Sequence, residues 1–205
     1  MTPGSTRRGA YDFAIITSAT KPDQQQRAVS AIVTGFSADP ITRWVFPEPH
    51  QYLTYFTEFV PLMAGGAFEH GSAYCTEDFM AASLWLPPGV HSDVEAMGGL
   101  AAKAIHERDQ EKIFTLMGQM GEYHPTEPHW YLPLIAVDPA QQGRGLGSAL
   151  LRHALEISDR DKLPAYLEAT SPRSRPLYER HGFEAIGEIQ VADSPPMWPM
   201  LRKPR

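Results

Sequence analysis

The sequence predicts one mixed α/β domain. Helix-period and strand-like apolar segments alternate along the chain, and from Trp130 onward they run strand, helix, strand, helix, strand, strand. No internal repeat and no long linker divides them. The 205 residues, 42% hydrophobic and 20% charged, have ordinary globular composition and enough length for one well-cored domain. The nineteen prolines are spread along the chain and read as loop punctuation.

Taken in order, Tyr11 to Thr17 puts Tyr11, Phe13 and Ile15 on one side of a short strand. Lys21-Pro22-Asp23 opens a helix with Asp23 as N-cap, and Ala28, Ile32 and Phe36 follow at helical spacing. Asp39-Pro40 and Pro47-Glu48-Pro49 bracket a short irregular piece that holds Trp44 and Phe46. A second helix runs from His50 to about Ala64. Ser72 to Cys75 and Phe79 to Leu86 read as strands joined by the turn Thr76-Glu77-Asp78, and Pro87-Pro88-Gly89 stops the second. Ser92 to about Gly121 is helical with breaks, and Trp130 to Val137 is a central strand.

Composition excludes several function classes. A net charge of -6 argues against a general nucleic-acid surface, which needs a basic excess. The single cysteine, Cys75, excludes an internal disulfide framework and a cysteine-rich metal site; it reads as a small buried side chain in a reducing compartment. No apolar run approaches the ~18 residues of a membrane span, and the first residues lack the apolar stretch of a signal peptide. The expectation is a cytoplasmic protein with a flexible tail over residues 1–10 and one domain over 11–205.

The most informative stretch is VDPAQQGRGLGS, from Val137 to Ser148. Leu146, Ala149, Leu150, His153, Ala154 and Ile157 recur at steps of three and four, so a helix follows the glycines. Glycines at a helix N-terminus expose backbone N–H groups and the positive end of the helix dipole to an anion, and Arg144 adds a charge. A Walker A loop would need Lys followed by Ser or Thr, which is missing. A dinucleotide fingerprint would need glycines directly off the strand and a third glycine one residue later than Gly147. The pattern that fits is Gln/Arg-x-x-Gly-x-Gly/Ala, met by Gln142, Gly145 and Gly147 after Val137-x-Pro139. In this the chain resembles the GNAT acyltransferases. LEATSPRSRPLYERHGF, from Leu167 to Phe183, is similar to a second signature of that family: Ser174, Tyr178, Gly182 and Phe183 match, while Ser171 stands where the family commonly has Asn. Within the family, these stretches and the closing MWPMLRKP are similar to puromycin N-acetyltransferase-like members.

The resemblance implies a mostly antiparallel mixed sheet (an α/β, or α+β, GNAT fold) splayed at the acyl-CoA site and flanked by helices. It implies acetyl-CoA as donor, with no metal, and a small-molecule primary amine as acceptor, with neither nucleic acid nor membrane as partner. Homodimers are common in the family. Backbone groups of Ile135, Ala136 and Val137 would pair with the coenzyme arm, and an N–H near Leu134 would face the thioester oxygen. The amides of Gly143, Arg144, Gly145, Leu146, Gly147 and Ser148, with Gln142 and Ser174, would complete the coenzyme site. Tyr178 is the implied general acid, since a phenol keeps its proton at neutral pH. The proton acceptor is open among Glu122, His124, Glu127 and His129, or no residue at all. The glycine loop alone also allows a non-catalytic acyl-CoA sensor.

Among the aromatics, helical spacing makes Tyr52, Tyr55, Phe56 and Phe59 core residues, while Trp44 and Phe46 are lid candidates over an acceptor pocket. Arg43 either binds an acidic substrate group or anchors its loop. His153 and His181 have no partners at metal-ligand spacing.

Overall fold

Seven strands hydrogen-bond side by side in a computed structural model of the chain, which describes residues 15–205. They are β1 (Ile16–Ser18), β2 (Ala73–Thr76), β3 (Ala81–Leu86), β4 (Trp130–Val137), β5 (Ala165–Ala169), β6 (Glu184–Ala185) and β7 (Trp198–Arg202), in the spatial order β1-β2-β3-β4-β5-β7-β6. Only β4 and β5 run parallel; every other neighbouring pair is antiparallel. This is the mostly antiparallel mixed sheet the sequence led us to expect. Tyr11 and Phe13 lie outside the described residues.

The sheet is not uniformly closed. β4 pairs with β5 at Trp130–Ala165, Tyr131–Tyr166 and Leu132–Leu167 and then separates from it. Pro133 is the next residue, and it has no N–H to continue a ladder. On the other edge of β4, Leu84 faces Leu134 but Leu86 faces Tyr131, so β4 carries one extra residue there, a β-bulge. The bulge exchanges the two faces of the strand. Before it, Tyr131 points into the core shared with Tyr166 and Trp130 and Leu132 into the opposite one; after it, Leu134 and Ala136 take the first side and Ile135 and Val137 the second.

Helices cover both faces. On one lie α1 (Pro22–Gly35), α2 (Pro40–Val45), α3 (Pro49–Gln51) with its π-helical continuation (Tyr52–Phe56), α4 (Thr57–Ala64), α5 (Gly66–Glu69), α6 (Val94–Ala104) and α7 (Glu107–Tyr123). On the other lies α8 (Leu146–Asp161), whose apolar stripe packs on β2, β3 and β4, followed by α9 (Arg175–Arg180). Gly35 brings α1 close to β4: a Cβ there would sit 2.5 Å from the Ala136 Cβ.

Local capping corrects two expectations and sets the start of α9. The stretch after Asp39 is helical because the Asp39 carboxylate accepts from the Thr42 N–H at 2.9 Å and Pro40 occupies the first turn. The first helix takes Lys21 as its N-cap, with Asp23 inside the first turn. α9 begins at Arg175, because the Ser171 hydroxyl accepts the Ser174 N–H in a turn before it (3.1 Å). Gly182, at φ +89°, ends α9, with its N–H on Glu179 O and that of Phe183 on Tyr178 O.

Arg202 locks the C-terminal strand in place. Nearly buried, it donates two hydrogen bonds to Asp159 at 2.7 and 2.8 Å and one to His181 O at 3.0 Å, tying β7 to the ends of α8 and α9. These bonds hold the Asp159 carboxyl below its usual range. Arg202→Met should lower unfolding stability by about 2–3 kcal/mol, below the usual cost of breaking a fully buried pair because Asp159 keeps some solvent contact. Urea unfolding at neutral pH checks this. The gap between wild type and variant should narrow as pH falls through the carboxylate range, where Asp159 is protonated and its contribution is lost.

Candidate active site

Where β4 leaves β5 the molecule opens into two hollows. The first, about 640 Å³, lies against the glycine loop. Asp138 organises the loop: its side chain accepts from Ala140 N at 2.7 Å and its carbonyl from Gln141 N, forming a 3-10 turn over Pro139–Gln141. Gln142 reaches back to Val137 O (3.3 Å), and Arg144 donates to Gln141 Oε1 (2.6 Å). Gly143 (φ +77°) and Gly145 (φ +86°) adopt left-handed conformations that other residues enter only with strain. Gly145 is the N-cap of α8, and no side chain caps its first turn. The amides of Leu146, Gly147 and Ser148 therefore begin a helix with no protein side chain accepting from them.

Ile135, Ala136 and Val137 form one wall of this cleft; Gln142, Gly143, Gly145, Leu146, Gly147 and Ser148 form its floor. Ser174 and Tyr178 stand opposite. Arg144 is exposed at the loop's tip and does not line the cleft. Leu134 turns elsewhere. The Asp138 N–H donates to Met80 O, so by antiparallel alternation Ala136 and Leu134 also direct their amides at β3, while Ile135 and Val137 present theirs to the opened side. The N–H next to Leu134 that faces the opened side is thus that of Ile135, because the bulge shifts the alternation by one. An uncapped helix start, two left-handed glycines and an open strand edge along one cleft fit a diphosphate with an amide-bearing arm.

Tyr178 is buried on α9, edge-on to Phe183 (centroids 6.2 Å apart). No described residue is hydrogen-bonded to its hydroxyl, and Tyr178 lines the cleft. Burial, and secondarily the Asp39 charge, push its pKa up, so it holds its proton throughout the physiological range. Ser174 Oγ bonds to Ser171 O at 3.1 Å, and the two hydroxyls lie 3.0 Å apart.

The second hollow, about 460 Å³, lies on the α4–α7 side and shares Phe36 and Thr170 with the first. Phe46, Phe56, Phe59, Met63 and Met117 contribute to its apolar wall, and Leu134 lines it. Trp44 does not; its Nε1 donates to Asp193 at 3.2 Å. Arg43 anchors its own loop, donating to Pro47 O at 2.6 Å and lying 5.0 Å over the Tyr52 ring. At the seam between the hollows, Asp39 accepts from both Thr42 and the Thr170 hydroxyl, and burial raises its carboxyl.

The base candidates separate. Glu122 and Glu127 are exposed and line neither hollow. His124, ending α7, faces the second hollow; its Nε2 meets His129 Nε2 at 3.1 Å, and its ring stands edge-on to Tyr131 and Tyr166. Burial, aided by His129 and His91, holds His124 down to about 4. A residue absent from the sequence-based candidates joins them: Glu168 on β5 lines the same hollow and accepts from the Tyr131 hydroxyl at 3.0 Å. Burial pushes it up to about 7, while the adjacent Tyr131 and Tyr166 phenols pull the other way. An acid inside the apolar run Ala165–Ala169 was the available signal. Cys75 is buried, with its thiol pushed up to about 12. His153 packs edge-on to Tyr74 (4.7 Å), and the described residues contain no cluster of three or more potential metal ligands. Nor is any helix among them long and apolar enough to cross a membrane.

A family model for the acetyltransferase (GNAT) family matches residues 51–183, well over half of the chain. The chain belongs to the GNAT acetyltransferase family. Its relatives include an uncharacterised N-acetyltransferase of Schizosaccharomyces pombe, 24% identical over 201 residues that cover 87% of this chain and 79% of the relative. Among solved structures, a Corynebacterium glutamicum histone acetyltransferase HPA2-related acetyltransferase is 25% identical with a TM-score of 0.66, covering 93% of this chain and 96% of the other. A mosquito arylalkylamine N-acetyltransferase-like protein shares the fold at 19% identity and a TM-score of 0.61, over 92% of this chain and 99% of its own. As a GNAT member the protein is an acyltransferase, of a family that uses acetyl-CoA as donor.

His124 makes a stability prediction. The unfolded chain takes up its proton near 6.5 and the native protein only near 4, so between these values the unfolded state binds more protons and stability falls as pH falls. Thermal unfolding scans from pH 7 to 4 should show a shallower decline for His124→Phe than for wild type.

Proposed function

We propose that this GNAT enzyme transfers an acetyl group from acetyl-CoA to the primary amine of a small molecule, by direct attack with both substrates bound. The observation that carries the reading is the meeting of two chemically different hollows at the split in the sheet, with Tyr178 on the donor side. The Schizosaccharomyces pombe relative, named as an N-acetyltransferase, supports nitrogen as the acceptor atom. The stretches similar to puromycin N-acetyltransferase-like members support a place in that subfamily, and the single buried thiol suits a cytoplasmic setting.

On this reading the first-turn amides of α8 and the Gly143–Gly145 backbone hold the diphosphate, and Ile135 and Val137 pair with the amide-bearing arm. Bound acetyl-CoA supplies a thioester carbonyl whose carbon–sulfur bond breaks as the carbon–nitrogen bond to the amine forms. The Ile135 N–H donates to the carbonyl oxygen as negative charge develops there; such a donor contributes about 3–4 kcal/mol where its loss has been measured. Tyr178 gives its proton to the departing sulfur and is reprotonated from the amine's side of the reaction. Asp39, bonded to Thr170 and Thr42, keeps the seam between the hollows in place.

Two substitutions test this. Tyr178→Phe should lower turnover by roughly ten- to a thousand-fold, the scale of a lost general acid, with little change in acetyl-CoA affinity; unchanged turnover would remove Tyr178 from the mechanism. Gly145→Val forces a side chain into a left-handed position at a strain of about 1–2 kcal/mol. It should raise the acetyl-CoA KM about tenfold. Thiol release with acetyl-CoA and an amine panel reads both, and tight coenzyme binding without turnover on any amine would favour a sensor.

A further inference from the structure

We propose that the apolar hollow accepts one primary ammonium carried on a bulky apolar body, and that Glu168 receives this amine and takes its proton. The inference rests on the acetyl-transfer reading above and names the acceptor class and the base of that same site.

The hollow's walls are mostly Phe, Met, Leu, Ile and Val, and among the described residues Glu168 is the only carboxylate lining it. No lysine or arginine lines it, and Glu168 forms no ion pair among the described residues, so its charge has no resident counter-cation. Its Oε2 accepts from Tyr131, while Oε1 is shielded from solvent with the Tyr166 hydroxyl beside it. The carboxylate thus has two phenols beside it and no cation, and a ligand ammonium reaching it would supply the missing counter-charge. Glu168 is also the first residue of β5 past its last pairing with β4 and neighbours Thr170, which both hollows share. The carboxylate thus stands at the throat through which an amine reaches the donor side.

The same composition limits the acceptor. A second ammonium on a polyamine would lie among Phe56, Phe59, Met63 and Met117 with no carboxylate to meet it. An aromatic or branched apolar body would instead fill that wall.

The ionisable groups around Glu168 are the Tyr131 and Tyr166 phenols, His124 from the end of α7, His91 from the loop before α6, and Asp39 beyond Thr170. No lysine or arginine is among them, and burial raises the Glu168 carboxyl to about 7 against the lowering pull of the Tyr131 and Tyr166 phenols. The steps balance. One N–H bond of the ammonium breaks, and its proton goes to a Glu168 oxygen. The neutral amine forms its bond to the acetyl carbon as the carbon–sulfur bond breaks, and Tyr178 protonates the sulfur. The second amine proton restores Tyr178, and Glu168 returns its proton to solvent.

The test is steady-state thiol release by the full chain with acetyl-CoA and 2-phenylethylamine, n-propylamine or spermidine, for wild type, Glu168→Gln and Glu168→Asp. For wild type, 2-phenylethylamine should exceed both other amines in kcat/KM by at least about tenfold, and kcat should fall as pH drops below about 7. Glu168→Gln, isosteric but unable to take a proton, should lower kcat about a hundredfold or more and abolish that acidic limb. Glu168→Asp should recover part of the rate and retain an acidic limb. Failure of wild type to release thiol with any amine would overturn the acetyl-transfer reading itself. Turnover with spermidine as the best acceptor would leave that reading intact and overturn the apolar-monoamine assignment. A folded Gln variant with unchanged kcat and pH profile would overturn the role of Glu168. Should the Gln variant fail to fold, the wild-type acceptor ranking and the Asp variant's limb decide the question.

Discussion

Backbone amides in a sheet must find acceptors, and the split between β4 and β5 is where this sheet stops supplying them. Pro133 has nothing to donate, and the extra residue in β4 redirects the groups that follow. β4 stays fastened to β3 along its length, so the strand is rigid although its other edge is open. The rest of the site hangs on that rigidity. The glycine loop leaves the end of β4, α9 leaves the end of β5, and the two diverge from a common root. A sheet paired throughout would place α8 and α9 on the same scaffold with no cleft between them.

The two sides of the split are built from different materials. The glycine-loop side is mostly main chain: left-handed glycines, an uncapped helix start and a bare strand edge, which suit charge and amide geometry without side-chain specificity. The apolar side is mostly side chain, contributed by α4, α6, α7 and the segment around Phe46, where small changes in volume alter what fits. Phe36 and Thr170 belong to both. One hollow can thus keep a constant ligand while the other is resurfaced.

What could be read from sequence was what adjacent residues encode together. The glycine loop, the helix behind it and the Tyr178 turn are contiguous patterns at fixed spacing, and their elements are legible without the fold. Glu168 was not, although it sits one residue inside the second signature: its role depends on which face of β5 meets Tyr131 and the apolar wall, and those neighbours come from distant segments. Which amide beside Leu134 faces the opened side was hidden for a related reason, since a bulge alters alternation without changing composition; Pro133 in the middle of an apolar strand was its visible trace. The helix after Asp39 was legible and misread. Asp-Pro-x-Thr is a capping arrangement, but the flanking prolines suggested irregular chain.

The bulge also makes count matter more than identity in one short stretch. Between Trp130 and Leu134, removing or adding a single residue would send Leu134 and Ala136 to the α8 side and Ile135 and Val137 to the α1 side. It would close the Gly35 approach to Ala136 and turn the cleft amides back into the ladder. Apolar exchanges at Trp130 and Leu132 leave the count intact. A library built on this protein should accordingly hold the length constant there and keep Pro133 and Tyr131, treating those few positions as a ruler that sets the phase of everything downstream.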